Sequence, residues 1–375
     1  MNRSHRAIPA LAVVALVGSL LLALLWAPTA GADPQQPAAH SSAEQKQKKK
    51  KRKVRPKPIY WGAWIGHQFT GTNPPFDMGG VSMLEALVGK GLSLIQFSSP
   101  FYDCNRSPCA PYKFPDEAMQ NVRGYGAIPF FSWGSESSPG HPENFRLADL
   151  AAGKEDAYIA QFAQEAAEWG HPFFLRFNWE MNGNWFPWSA GVNGNTPASY
   201  VAAWRHVHDV FTAVGATNAT WVWCPFADSH RSYSNMKSLY PGNAYVDWTC
   251  LDGYNWGRNA VNPQPWRSFN EIFEASYRFL TKKVARRKPV MLAELASSPN
   301  GGHKAVWIRE MLNALPRKYP RVRGFIWLDG FDRGIDWPIE TSPNATAAFA
   351  RGIAKKVYQP NRYGELNVSP IPPQP

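Results

Sequence analysis

From Pro58 onward, short apolar runs alternate with longer amphipathic segments, and this alternation constrains the fold more tightly than any other feature of the sequence. The runs are Ile59 to Ile65, Leu92 to Phe97, Ala127 to Trp133, Pro172 to Asn178, Thr220 to Cys224, Cys250 to Tyr254, Pro289 to Glu294 and Gly324 to Leu328. Helical stretches lie between them, among them Asp116 to Tyr125, Asp156 to Trp169, Pro197 to Val214 and Lys304 to Leu315; Ser232 to Leu239 is the weakest. Strands apolar on both faces, each followed by a crossover helix, build parallel sheets. Eight such units in about 300 residues predict a (β/α)8 TIM barrel over residues 59–358. An open doubly wound sheet is the rival, but no Gly-x-Gly-x-x-Gly follows the first strand to give it a dinucleotide site.

The segments outside the barrel read differently. Arg3 and Arg6 precede a charge-free, largely apolar run that ends at Ala30-Gly31-Ala32, the pattern of a signal peptide over residues 1–32. The run is long enough that a membrane-anchoring, uncleaved leader is the alternative. Either way the chain is expected to be secreted. Residues 33–58 form a basic linker of Pro, Ala, Ser and Gln that continues through Lys48-Lys49-Lys50-Lys51-Arg52-Lys53 into alternating Pro and basic residues, a composition that does not fold. Residues 1–58 hold eleven Lys or Arg against Asp33 and Glu44, and so account for +9 of the net +12. The basic excess therefore sits in a tail and not on a folded groove, which argues against nucleic acid as a partner. It fits a spacer, or a tether that associates loosely with an anionic cell surface; nuclear import would need a cytosolic chain. Residues 359–375 are a Pro-rich C-terminal tail, and the protein is expected to act as a monomer.

The four cysteines, Cys104, Cys109, Cys224 and Cys250, are even in number in a chain read as exported, which favours disulfides over a metal site. Cys104 with Cys109 closes a small loop, and Cys224 with Cys250 joins the ends of neighbouring strands five and six. His206-x-His208-Asp209 resembles a metal motif, but residues two apart diverge around a helix. No metal or cofactor is expected. Asp228 and His230, after strand five, are weaker candidates for substrate contact.

Chemistry in this fold gathers where the strands end in the C-terminal direction. Strand four runs into Arg176-Phe177-Asn178-Trp179-Glu180-Met181-Asn182-Gly183-Asn184-Trp185-Phe186-Pro187-Trp188, and strand seven stops at Glu294. Two carboxylates three strands apart face each other across the barrel mouth. That pair is what glycosidic hydrolysis needs, one group to protonate the leaving oxygen and one to meet the positive charge on the anomeric carbon. The 17 tryptophans then have a use, since sugar rings stack their C–H faces on indoles. Trp61, Trp64, Trp133, Trp185, Trp188, Trp256 and Trp327 all stand at or near strand ends.

Glu180-Met181-Asn182-Gly183-x-Trp185-Phe186-x-Trp188, with Arg176 four residues before the Glu, resembles the signature of glycoside hydrolase family 26, best known for endo-β-1,4-mannanases. The resemblance implies a retaining mechanism with Glu180 as acid/base and Glu294 as nucleophile. It also implies that Tyr254 orients the nucleophile and that Trp327 floors the sugar site nearest cleavage. Arg176, Trp179, Asn182, Trp64, Trp133, Trp185, Trp188 and Trp256 complete the expected substrate-binding set. The family usually has His before the acid/base, where this chain has Trp179, so the choice of sugar turns on that position. The expected substrate is mannan or glucomannan, with β-1,3-1,4-glucan and β-1,3-xylan as alternatives and a catalytically weak carbohydrate-binding surface protein as the reading from another class. Because every candidate residue lies beyond the linker, a chain beginning near Pro58 is expected to retain full hydrolytic activity; a large loss on truncation would show that the basic run contributes to the barrel.

Overall fold

The structure, a computed structural model, describes residues 56–373 apart from 106, 140–144, 228–233 and 260–262. The leader, the basic run, Asp228 and His230 lie outside the described residues. Eight parallel strands close on themselves: β1 (Ile59–Ile65), β2 (Leu94–Asp103), β3 (Ile128–Ser138), β4 (Phe173–Phe177), β5 (Ala219–Trp223), β6 (Trp248–Cys250, resuming as Gly253–Asn255), β7 (Val290–Ser297) and β8 (Val322–Asp329). Closure is made by β1, which pairs with β8 from Tyr60↔Gly324 to Ile65↔Asp329 and with β2 at Gly62↔Leu94. The chain is thus a (β/α)8 barrel.

Helices surround the strands: α1 (Gly79–Val88), α2 (Asp116–Tyr125), α3 (Leu147–Ala151), α4 (Asp156–Trp169), α5 (Pro197–Ala213), α6 (Ser234–Ser238), α7 (Phe269–Phe279), α8 (Lys304–Lys318) and α9 (Pro343–Ile353). Their starts follow local chemistry. Thr196 caps α5 with Pro197 at the first helical position, and Ser268 and Glu271 form a reciprocal capping box on α7. Among the described residues no helix is long and apolar enough to cross a membrane.

Alternation along each strand divides the core in two. Tyr60, Leu94, Ile128, Phe130, Phe174, Val222, Met291 and Ile326 fill the barrel, while their neighbours, such as Trp61, Phe131, Leu175 and Phe325, pack outward beneath the helices. The Pro-rich C-terminal tail closes the barrel floor. Tyr363 and Ile371 join the interior cluster, and their segment is held by Tyr60 Oη donating to the Pro372 carbonyl (3.0 Å) and Trp248 Nε1 to the Ile371 carbonyl (2.9 Å). The Ile371 N–H donates in turn to Thr220 Oγ1 (2.9 Å). Ile371→Ala should therefore open a void in the floor and destabilise the fold by about 2–5 kcal/mol, read from urea unfolding; a change below about 0.5 kcal/mol would show the floor to be dispensable.

Candidate active site

Both glutamates owe their inward aim to local breaks in regular strand geometry. On β7, Leu292 pairs with Phe325 and Leu295 with Trp327, so three steps on β7 match two on β8. The extra residue is a bulge, and it turns Glu294 toward the barrel axis where strict alternation after Ala293 would point it out. Past β4, Asn178 (φ 40°) and Glu180 (φ 52°) adopt left-handed backbone conformations, unusual for residues with side chains. They are held there by neighbours: Asn178 accepts from the Ser135 N–H (2.8 Å) and donates to Ser135 Oγ (2.8 Å), and the Glu180 N–H donates to the Cys224 carbonyl (2.7 Å). Cys224 is itself disulfide-bonded to Cys250 on β6, and Cys104 is bonded to Cys109. The only cluster of metal-ligating residue types among the described residues is Cys224, Cys250 and Asp252, and its sulfurs are committed to that disulfide.

Arg176 is the centre of the site and is 1% exposed. Its guanidinium donates to Glu294 Oε1 (2.7 Å), to Asp252 Oδ2 (2.9 Å), to Ser132 Oγ (2.8 Å) and to the Ala293 carbonyl. Tyr254 Oη donates to Glu294 Oε2 (2.7 Å), and the Gln96 amide donates to Oε1. Across the mouth, Trp185 Nε1 donates to Glu180 Oε2 (2.5 Å).

A cleft of about 610 Å³ opens over these groups. Trp64, Trp179, Trp185, Trp256, Tyr254 and Asn182 line it, as the sequence suggests. The Asn182 amide is already engaged with both backbone groups of Phe226 (2.7 and 2.9 Å), so it braces the loop. Trp133, Trp188 and Trp327 do not line the cleft. Trp133 and Trp327 occupy outward positions, Trp133 stacked on Phe162 at 4.3 Å and Trp327 between Trp307 and Phe349. Trp61 also faces out, against Phe349. Trp188 is buried beneath Phe186 and Trp179 and donates to the Trp179 carbonyl (2.6 Å). Gly134 makes room for it, since a Cβ there would stand 2.7 Å from the Trp188 ring. At the place in the cleft beside Trp256 and Tyr254 stands Trp337 and not Trp327, the residue that the resemblance implies as the floor of the sugar site. His206 pairs with Asp156 (2.6 Å) and His208 packs on Trp221, both away from the mouth.

The profile of glycosyl hydrolase family 26 matches residues 150–296, a span that includes both glutamates, Arg176, Asp252 and Tyr254. Endoglucanase H of Acetivibrio thermocellus is 34% identical over 295 residues, 78% of this chain and 30% of that protein. The chain belongs to glycosyl hydrolase family 26. A mannan endo-1,4-beta-mannosidase of Bacillus subtilis is 27% identical over 51% of this chain and 47% of that protein. The chain thus spans less than half the length of either relative. The catalytic domain of an endo-beta-1,4-mannanase from Bacillus sp. JAMB-750 shares the fold with a TM-score of 0.60 at 19% identity, covering 82% of this chain and 88% of that one.

In this family 26 barrel, three carboxyl groups crowd around one cation, and they cannot all ionise freely. Burial raises Glu180, the Glu294 charge adds to it, and the group is pushed up to about 7 against the Trp185 hydrogen bond and the more distant Arg176. Burial would also raise Glu294, but the Arg176 charge and hydrogen bonds from Tyr254, Arg176 and Gln96 outweigh it and hold the group below the usual range. Asp252 is raised well above its ordinary value by burial, with Arg176 opposing and the two glutamates adding.

Asp252, Gln96, Ser132 and Trp337 were not among the expected site residues. The first three carry a signal: Asp252 lies two residues before Tyr254, Gln96 two after Leu94 and Ser132 two after Phe130, so each shares the inward face of its strand. Trp337 lies in the loop after β8, where no periodicity applies.

The hydrogen bond from Trp185 favours the Glu180 anion, so Trp185→Phe should raise the Glu180 pKa. The alkaline limb of the pH–activity profile, near pH 7 in the parent, is expected to move to higher pH. A shift to lower pH would contradict the assignment of that limb to Glu180.

Proposed function

We propose that this chain is a retaining endo-acting β-glycan hydrolase in which Glu294 attacks the anomeric carbon and Glu180 is the acid/base. The observation that carries hydrolysis is the split of the two glutamates lining the cleft, one kept protonated near neutrality and one kept ionised, among aromatic side chains; the retaining course is taken from the family. In the first step the Glu180 proton passes to the glycosidic oxygen as the Glu294 carboxylate bonds to the anomeric carbon, and the leaving sugar departs. In the second, ionised Glu180 takes a proton from water, whose oxygen displaces Glu294. Once Glu294 is esterified its charge no longer raises Glu180, which suits the switch from acid to base. A protein that only binds glycans would gain nothing from this split.

For the sugar, a β-linked glucan is the reading best supported. The relative with the broad 34% match is named an endoglucanase. Trp179, in the place of the family's usual His, stacks over the Arg176 guanidinium (4.8 Å) and is backed by Phe186 and Trp188. It replaces the imidazole by a bulkier ring with a single N–H donor, which alters the polar contact available for an axial 2-hydroxyl. Mannan or glucomannan is the second reading, favoured by the Glu180–Trp188 segment and the mannanase relatives. We further propose that the enzyme is secreted, as its leader and two disulfides suit an oxidising compartment.

Hydrolysis of soluble mixed-linkage β-glucan, glucomannan, mannan and β-1,3-xylan tests the sugar; higher kcat/KM on mannan than on glucan would reverse the order, and no hydrolysis of any would favour a binding protein. Glu294→Ala is expected to reduce turnover to background. Glu180→Ala should cost about 10²–10⁴-fold on the polymer while sparing the first step for aryl glycosides with good leaving groups, which need no protonation. Equal loss on both substrates would remove Glu180 from the acid role.

A further inference from the structure

Glu136, near the end of β3, takes no part in the mechanism above. Its carboxylate lines a hollow of about 250 Å³ beside the main cleft, together with Asn184, Trp185 and Phe186. Those last three residues also line the cleft, so the two spaces adjoin along one shared, largely aromatic rim. No described residue pairs with the Glu136 carboxylate, and its oxygens are not among the sealed, unsatisfied polar atoms. They open into the hollow.

An uncompensated carboxyl in partly apolar surroundings is costly for the fold alone. Burial pushes Glu136 up to about 7, and among the described residues no cation offsets it. The neighbours make a consistent set for one ligand chemistry: the aromatic side chains of Trp185 and Phe186 for the C–H groups of a sugar, and a carboxylate and an amide for its hydroxyls. The side of the scissile bond follows from Trp185, whose Nε1 holds the Glu180 carboxyl that serves the leaving oxygen. The hollow lies on the flank of the same loop.

We infer that the hollow is a distal sugar subsite on the leaving-group side of the cleft, with Glu136 accepting a hydrogen bond from a hydroxyl of the bound glycan. The inference rests on the hydrolase reading and extends it to residues that determine which chain lengths are cleaved well. Glu136 is a specificity residue and touches no reacting atom.

The test compares the parent with Glu136→Gln and Glu136→Ala on two probes in each series: 4-nitrophenyl β-cellobioside and a mixed-linkage glucan hexasaccharide, and 4-nitrophenyl β-mannobioside and mannohexaose. The aryl probes place no sugar beyond the cleavage point, whereas the hexasaccharides do. The ratio of kcat/KM for hexasaccharide to that for aryl glycoside is expected to fall about tenfold in each variant, as for loss of a hydrogen bond to a charged group, with the change in KM. An unchanged ratio, whether both activities fall together or neither falls, overturns the subsite while leaving the hydrolase reading standing. A parent inert on all four probes and on β-1,3-xylan as well overturns the hydrolase reading, and the subsite with it.

Discussion

The ion pair between Arg176 and Glu294, buried in the mouth of the barrel, is the interaction on which the rest of the site depends. One guanidinium faces three carboxyl groups, and its charge goes mainly to Glu294 and Asp252 at 2.7 and 2.9 Å. Glu294 can then stay ionised in a place where burial alone would protonate it. Glu180, whose hydrogen bond comes from Trp185, retains its proton to about pH 7. The difference in protonation between the two glutamates is thus an electrostatic consequence of where a single cation sits. Removing one partner of such a buried pair typically costs about 3–5 kcal/mol, because it leaves the other charge unpaired. The cation also fixes geometry, since the Ser132 hydroxyl and the Ala293 carbonyl hold the guanidinium plane and Trp179 covers it.

Regular barrel geometry would not put these groups together. The bulge on β7 and the left-handed backbone at Asn178 and Glu180 each depart from it, and such departures cost about 1–3 kcal/mol for a left-handed residue with a side chain. The neighbouring strands stabilise them: Ser135 on β3 grips Asn178, and the Cys224 carbonyl at the end of β5 grips the Glu180 amide. At the opposite end the C-terminal segment seals the floor with Tyr363 and Ile371. The mouth can therefore be polar and strained while the barrel beneath it remains a packed apolar core.

Much of this could be read from the amino-acid sequence, because the dominant signals are periodic. Continuous apolar runs such as Ile59–Ile65 mark strands buried on both faces, and Glu180 and Glu294 stand out as carboxylates where such runs end. Sidedness was harder. Trp133 and Trp327 end apolar strands just as Trp64 does, yet the two-residue period sends them outward, and nothing local says which parity faces the axis. The same period links Asp252 to Tyr254 and Gln96 to Leu94, so these partners were legible in principle once one inward residue was known. Trp188 and Trp337 were not, because their loops pack by tertiary contact.

The central claim is that Glu294, kept ionised by Arg176, forms the covalent intermediate. A 2-deoxy-2-fluoro glycoside with an activated leaving group slows the second step, so that the sugar stays on the nucleophile and can be located by peptide mass mapping. The account predicts one sugar per chain, attached to Glu294. A label on Glu180 or Asp252, or turnover of the natural glycan with inversion at the anomeric carbon and no trapped intermediate, would contradict it.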